Sequence, residues 1–431
     1  MATAEQNSSP VVEPSKPRLL KVLGPGLITG ASDDDPSGIA TYSQAGAQFG
    51  FSITWTLLLT LPLMAVIQEI AGRIGRASGL GLAGVISKNF PAWVMQTIVF
   101  LLFFANIINI GADLGAMGDA VKLIIGGPST IYVVIFGFSC VLMQVFMKYK
   151  RYVSVLKWLT ISLFAYFGTV PAVNVPWSEA LRGLVIPTFN PDPQFWTVVV
   201  AILGTTISPY LFFWQAAQEV EDLGEKPTRT ALIDAPKQAP KALARIRTDT
   251  VVGMAFSNLV ALAIVITAAA TLNANGVTDV QSSAQAAEAL KPVAGQFAFS
   301  IFALGIIGTG LLAVPVLGGS AAYALGEVMK WPVGLARPPK EAKAFYATLS
   351  IATLAGVALD FTPIDPIKAL FWSAVVNGVV AVPVMAIMMI IAVRDDVMGK
   401  GSIPTWMTVV GWTATGIMAL AALAMGALSL M

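Results

Sequence analysis

Apolar runs of about 20 residues recur from residue 20 almost to residue 428, and that is the length a helix needs to cross the hydrocarbon core of a bilayer. This repetition constrains the fold more than any other feature of the chain. The charge content agrees with it. Of 431 residues, 56% are hydrophobic and only 12% are charged, whereas soluble proteins carry about 25% charged residues. The expectation is an all-α polytopic membrane protein. Eleven spans fit, at about 20–48, 51–75, 92–125, 129–148, 152–173, 194–221, 248–273, 294–328, 342–359, 366–393 and 404–428. Residues 1–17, "MATAEQNSSPVVEPSKP", are polar and proline-containing. They read as a disordered tail with no cleavable signal.

The basic residues set the expected orientation. Lys16, Arg18, Lys21, Arg73, Arg76 and Lys88 flank one side of the first two spans, and later Lys and Arg residues continue on that side. Only Lys122, Arg182, Lys291 and Lys368 fall on the other, a split of twenty-two against four. Cytoplasmic loops carry the excess of Lys and Arg. The N-terminus is therefore expected inside the cell and, after eleven spans, the C-terminus outside, with the chain in the cell membrane. The single cysteine, Cys140, lies in an apolar run and reads as a small core residue. Histidine is absent, which removes the usual proton shuttle and the commonest transition-metal ligand.

Two spans break in the middle. The first carries "DDDPSG" at residues 33–38, and the sixth carries Pro209 after the hydroxyl cluster "GTTIS". Proline removes a backbone hydrogen bond and clashes with the preceding turn. The carbonyls and amides it frees must be buried in protein or line a wet cavity. The broken spans are five apart, so a second unit of five helices enters the membrane upside down relative to the first. Interrupted helices at matching places in two inverted halves point to a transporter's midplane site. The expected layout is a first repeat at 18–175, a second at 190–395 and an additional span at 402–431.

The carboxylates define the cargo. Each Asp near the bilayer centre costs roughly 2.5–3.5 kcal/mol on the lenient insertion scale, and Asp33, Asp34 and Asp35 cannot all face lipid. Successive helix positions differ by about 100°, so Asp35, directly before the break, is best placed to face freed carbonyls. Asp33 and Asp34 are expected to face an aqueous vestibule. A mobile cation is the natural partner, because Lys and Arg sit almost wholly in the loops. The sixth span adds Thr205, Thr206, Ser208 and Tyr210, all hard oxygens that suit Mg²⁺, Ca²⁺ and Mn²⁺ better than Fe, Zn or Cu. Ser37, Gly38 and Ser208 are small and leave room for an ion that keeps much of its water, as Mg²⁺ does. In "NIINIGAD", Asn106, Asn109 and Asp113 follow i, i+3, i+7 on one helical face. That stripe reads either as helix–helix glue or as a set whose Asp113 is a supporting or entry carboxylate. Asn377 in the tenth span is a weaker candidate.

At these residues the chain resembles a known family. "GPGLITGASDDDPSGIATYSQAGA" resembles the first helix of the NRAMP divalent-metal transporters, whose pattern is GPG and, about nine residues on, DPGN. "GTTISPYLFFWQ" is similar to their sixth helix, which carries MPH. Asp35 and Pro36 keep the pattern, while Ser37 replaces its glycine and Gly38 its metal-binding asparagine. Ser208 stands in place of the methionine ligand and Tyr210 in place of the histidine tied to proton movement. Thr205 occupies the position whose backbone carbonyl contributes to the site. The substituted pattern looks like the branch known as NRAMP-related magnesium transporters. The resemblance implies the LeuT-type fold with a 5+5 inverted repeat, unwound first and sixth helices, and alternating access. With Asn109 and Asp113 added from the stripe on the third span, the candidate metal set is Asp35, Ser37, Gly38, Asn109, Asp113, Thr205, Ser208 and Tyr210.

Without the histidine, uptake of Mg²⁺ and Mn²⁺ is expected to run uncoupled from protons. A divalent cation gains about 2 × 2.3 kcal/mol per 100 mV of inside-negative potential, roughly a thousandfold accumulation. No cofactor and no nucleic-acid partner is expected; the partners are the divalent ion and the bilayer, and the oligomeric state is not indicated. An amino-acid transporter of the same fold is a rival, but three aspartates at the break would repel a substrate carboxylate. An Asp-rich membrane prenyltransferase would need carboxylates at i, i+4 on two intact helix ends. Here the aspartates are consecutive, and the other acidic run, "EVEDLGE" at 219–225, reads as a solvated helix end.

Overall fold

The computed structural model describes residues 29–30, 32–147, 164–225, 229–335, 337–399 and 402–430. The expected tail at 1–17 and most of the fifth span, 152–163, lie outside the described residues. The principal helices are α1 (Pro36–Phe49), α2 (Trp55–Ser78), α3 (Ala92–Ile125), α4 (Ser129–Phe146), α5 (Phe164–Ala172) and α6 (Pro193–Thr206). They continue with α7 (Pro209–Glu225), α8 (Ala239–Thr271), α9 (Ala298–Val328), α10 (Lys343–Leu359), α11 (Pro366–Ala392) and α12 (Thr405–Ser429). Among the described residues, 8 helical stretches are long and apolar enough to cross a membrane. The protein is a multi-pass helical membrane protein.

Most ends match the apolar runs, and the departures have physical reasons. Helix α8 begins at Ala239 rather than near residue 248, because a polar extension with Lys241, Arg245 and Arg247 continues the helix past the apolar stretch. The short helices Leu82–Asn89 and Trp177–Val185 carry no run long enough to announce a span.

Proline acts in two ways. Pro62, Pro315 and Pro383 sit inside continuous helices, as membrane helices tolerate where other groups serve the freed carbonyls. Pro36 and Pro209 instead open helices, where no amide hydrogen bond is required. The first and sixth spans are both interrupted, at Asp34–Asp35 and at Ile207–Ser208.

The interrupted spans sit at the centre. In the Pro193–Gly224 stretch 89% of the apolar window is buried, against 28% for α12 at the rim. Helix α1 packs on α8, α7 packs on α2, α3 packs along α9, and α6 packs along α11. Glycine sets the closest approaches. A Cβ at Gly204 of α6 would collide with the backbone of Ala374 and Gly378 on α11, and one at Gly75 of α2 would strike the carbonyl of Ala216 on α7.

Candidate metal site

Asp35 lies in the first break with extended backbone (φ −69°, ψ 172°) and caps α1. Its Oδ1 accepts the Gly38 amide at 2.8 Å and the Ser37 hydroxyl at 2.6 Å. A carboxylate at a helix N-terminus satisfies orphan amides and meets the positive end of the helix dipole. Its Oδ2 accepts Asn109 Nδ2 at 3.0 Å and faces the Tyr210 hydroxyl at 3.3 Å. That hydroxyl is also 3.1 Å from the Ser32 carbonyl oxygen. Ser37, Gly38, Asn109 and Tyr210 thus converge on Asp35 from α1, α3 and α7.

Thr205 and Ser208 come from the second break. A Cβ added to Gly38 would lie 3.2 Å from Thr205 Oγ1 and 3.3 Å from the Asp33 carbonyl oxygen, so the space between the two breaks depends on residue 38 having no side chain. The Ser208 hydroxyl turns back onto the end of α6, within 2.8 Å of the Gly204 carbonyl oxygen and 3.0 Å of that of Thr205. Thr206 likewise bonds to the Ile202 carbonyl at 2.8 Å.

The stripe on α3 divides. Asn106 donates to the Leu317 carbonyl at 2.9 Å and stands 2.7 Å from Ser320 Oγ, so it is glue between α3 and α9. Asn109 serves the site instead. Asp113 is fully buried and faces the Ser37 amide, yet neither of its oxygens closes a hydrogen bond. Asn109 Oδ1 also has no donor, and both amide atoms of buried Asn377 lack partners.

Asp33 and Asp34 depart from expectation. They are 0% and 1% exposed, and they face α8 rather than a vestibule. Ser257 Oγ lies 2.6 Å from Asp33 Oδ2 and 3.1 Å from Asp34 Oδ1. One hydroxyl hydrogen serves two acids, and Asp33 Oδ1 and Asp34 Oδ2 have no partner. No sequence signal marks Ser257, which lies more than 220 residues away with no motif around it.

The balance of the site is therefore acceptor-rich. None of the ion pairs among the described residues involves Asp33, Asp34, Asp35 or Asp113. Nor do three or more His, Cys, Asp or Glu side chains there gather at metal-holding positions. A carboxylate cage for a stripped ion is absent from the described residues. One carboxylate amid amide, hydroxyl and carbonyl oxygens suits a hard cation that keeps part of its water.

Beyond α1 the site leads toward a cavity of about 520 Å³ lined by Ala40, Gln44 and Gln48, by Gln194 and Thr197 of α6, by residues 278–280, and by Lys368, Phe371 and Trp372 of α11. Ala40 is one helical turn from Ser37. Gln48 Nε2 bonds to Gln194 Oε1 at 2.7 Å, and Gln44 bonds to the Thr278 carbonyl at 3.2 Å and the Val280 amide at 2.8 Å.

At the opposite end the charges are paired. Arg245 of α8 pairs with Glu219 of α7, Arg229 pairs with Asp222, and Arg245 is 3.9 Å from Asp222. Arg76 of α2 donates to the Thr230 carbonyl at 3.0 Å and to Gln238 at 2.9 Å. Glu219 is 1% exposed, which corrects the reading of "EVEDLGE" as a solvated helix end. Its charge is tolerable there because Arg245 reaches it across the helix boundary. Arg73 is also buried, paired with Glu69 at 2.6 Å one turn away.

The comparisons agree with this architecture. The "Natural resistance-associated macrophage protein-like" family model matches residues 26–428. A divalent metal cation transporter, MntH, of Xanthomonas campestris is 27% identical over 401 residues, covering 92% of this chain and 87% of that protein. MntH of Klebsiella pneumoniae is 25% identical over 406 residues, 92% of each chain. A mutant manganese transporter of Eremococcus coleocola superposes with a TM-score of 0.74 at 18% identity, over 98% of this chain and 90% of that one. Mhp1, a nucleobase-cation-symport-1 family transporter, matches at a TM-score of 0.50 and 14% identity, over 95% and 92%. With both interrupted helices where that fold requires them and a family match running nearly end to end, the chain belongs to the Nramp family and has its LeuT-type fold.

Proposed function

We propose that this protein is a secondary transporter that carries Mg²⁺, and Mn²⁺ beside it, into the cell by alternating access. The observation that carries this reading is the excess of buried acceptors around Asp35. Asp113 and Asn109 present oxygens with no donor, and a hydrated cation supplies the missing positive charge and hydrogen-bond donors together. Asp35, Asn109, Tyr210, Ser37, Gly38, Thr205, Ser208 and Asp113 form the proposed site, with Asp35 the charged ligand. The MntH relatives, named as divalent metal cation transporters, support the cargo class and speak against an enzyme.

The finer choice of cargo rests on what the chain has in place of soft ligands. Ser208 and Tyr210 flank Pro209, and no histidine occurs in the sequence. Hard oxygens compensate poorly for the water a softer metal would shed. Transport is proposed to run without protons, driven by the ion gradient and a potential worth about 2.3 kcal/mol per charge per 100 mV. In the proposed placement in the cell membrane, the N-terminus is cytoplasmic and the C-terminus external. The repeats are residues 18–175 and 190–395, with 402–431 added. The reciprocal packing of α1 on α8 and α7 on α2 supports that division. A second reading, with Mn²⁺ as principal cargo, draws on the solved relative being a manganese transporter.

Proteoliposomes test both. Mn²⁺ entry should fall as external Mg²⁺ rises, while an internal pH probe stays flat. Acidification that follows metal entry would overturn the uncoupled mechanism. Indifference to Mg²⁺ would favour the second reading.

A further inference from the structure

The two ends of the bundle differ in their use of charge. At one end, Arg245, Glu219, Arg229 and Asp222 are paired. At the other, Asp279 and Lys368 line the same cavity. Asp279 lies in the loop after α8, and Lys368 in the first turn of α11. Both are exposed. No ion pair joins Lys368 to an acid among the described residues, and Asp279 holds only the Gln281 side chain, at 2.9 Å. A lysine near a helix N-terminus opposes the helix dipole, and in a cation's entry path it also repels the cargo. Neither stability nor attraction accounts for its place.

We propose that Lys368 and Asp279 are the latch of the outer gate, and that they pair when the vestibule closes behind the cation. The moving parts are already bound into bodies. Gln48–Gln194 ties α1 to α6, and Gln44 clips the 278–280 loop to α1 on both of its amide faces. These three elements carry Asp279 as one unit, while Lys368 lies in the first turn of α11, whose backbone contact with α6, at Gly378 and Gly204, is ten residues farther along. An ion pair in open water contributes little, so the latch is weak while the cavity is wet. It strengthens as closure expels water and lowers the local dielectric. A divalent cation still in the vestibule competes with Lys368 for Asp279, so closure follows the cation's passage inward. The proposal rests on alternating access, and uptake by the unaltered protein in the same vesicles shows separately whether that reading holds.

The test uses the full chain in proteoliposomes. Asp279→Lys and Lys368→Asp should each slow maximal Mn²⁺ uptake by about fivefold or more, the factor that corresponds to a firm exposed pair. The exchange D279K/K368D should recover most of it. Calorimetric Mn²⁺ binding shows separately that each variant is folded. The latch is overturned if the exchanged pair is no faster than the slower single variant. It is equally overturned if both single variants transport as fast as the parent protein.

Discussion

Asn109 Nδ2 lies 3.0 Å from Asp35 Oδ2, joining the middle of an unbroken helix to the carboxylate at the gap of a broken one. The contact fixes where the charge points. It also leaves Asn109 Oδ1 as a free acceptor beside it, so one side chain both orients the proposed ligand and offers an oxygen. Asn109→Ala is expected to weaken Mn²⁺ binding roughly 10- to 100-fold, the range for removal of a group that orients a metal ligand. Calorimetric titration of the purified protein checks this.

Asp35 has two tasks that can be separated. As a helix cap it can be replaced by Asn, since both residue types cap well, but Asn lacks the charge. Asp35→Asn should keep the thermal stability of the protein and abolish metal uptake. Asp35→Ala should lose uptake and also about 1 kcal/mol of stability through the missing cap. If D35N binds Mn²⁺ with unchanged affinity, the charged ligand lies elsewhere.

Selectivity should respond to the residues beside the prolines. Ser208→Met puts a soft sulfur where only oxygens face the break, and cadmium binding should rise while Mg²⁺ competition weakens. Gly38→Ala places a methyl 3.2 Å from Thr205 Oγ1 and 3.3 Å from Tyr42 Cε2. A partly hydrated ion needs that room, so Mg²⁺ uptake should fall more than Mn²⁺ uptake. Competition uptake assays read both.

The charged cluster should influence which way the protein faces. Glu219→Gln removes the buried partner of Arg245 and loosens the contact between α7 and α8. This end is then expected to open more readily. The variant should therefore expose cysteines introduced near Ser257 to a water-soluble maleimide from the α7–α8 loop side faster than the parent protein does.

Asp360, in the turn after α10, gives a pH dependence. Burial pushes its carboxyl up to about 7, and its Oδ2 has no partner. Its usual value is near 4, so between about pH 4 and pH 7 the unfolded chain releases the proton while the folded protein holds it. Stability falls across that window and levels off above it. Asp360→Asn removes the penalty. The melting temperature should rise by about 2–4 °C at pH 8 and stay nearly unchanged at pH 4, as a thermal-shift series would show.

What the residues disclosed in advance follows from the range of the physics. Long apolar runs and the Asp35–Pro36 and Ser208–Pro209 pairs are local signals, so the spans and both breaks could be read directly. Partners across the fold could not. Nothing in the sequence distinguishes Asn106, which binds α9, from Asn109, which binds Asp35, because both lie on one face of α3. Hydropathy alone makes Glu219 look solvated, since its partner Arg245 is 26 positions away. The burial of Asp33 and Asp34 is hidden for the same reason: Ser257 leaves no trace in its neighbourhood.

The glycine seams carry a consequence for how such a chain can vary. At Gly204 against Gly378, and at Gly75 against Ala216, backbone lies on backbone with no room for a methyl group. A substitution there would wedge those helices apart. Under the proposed function, the residues beside the breaks, Ser208 and Tyr210 among them, can be exchanged to suit another metal. The seams have no such latitude, so altered cargo preference should arise at the breaks while the seams stay fixed.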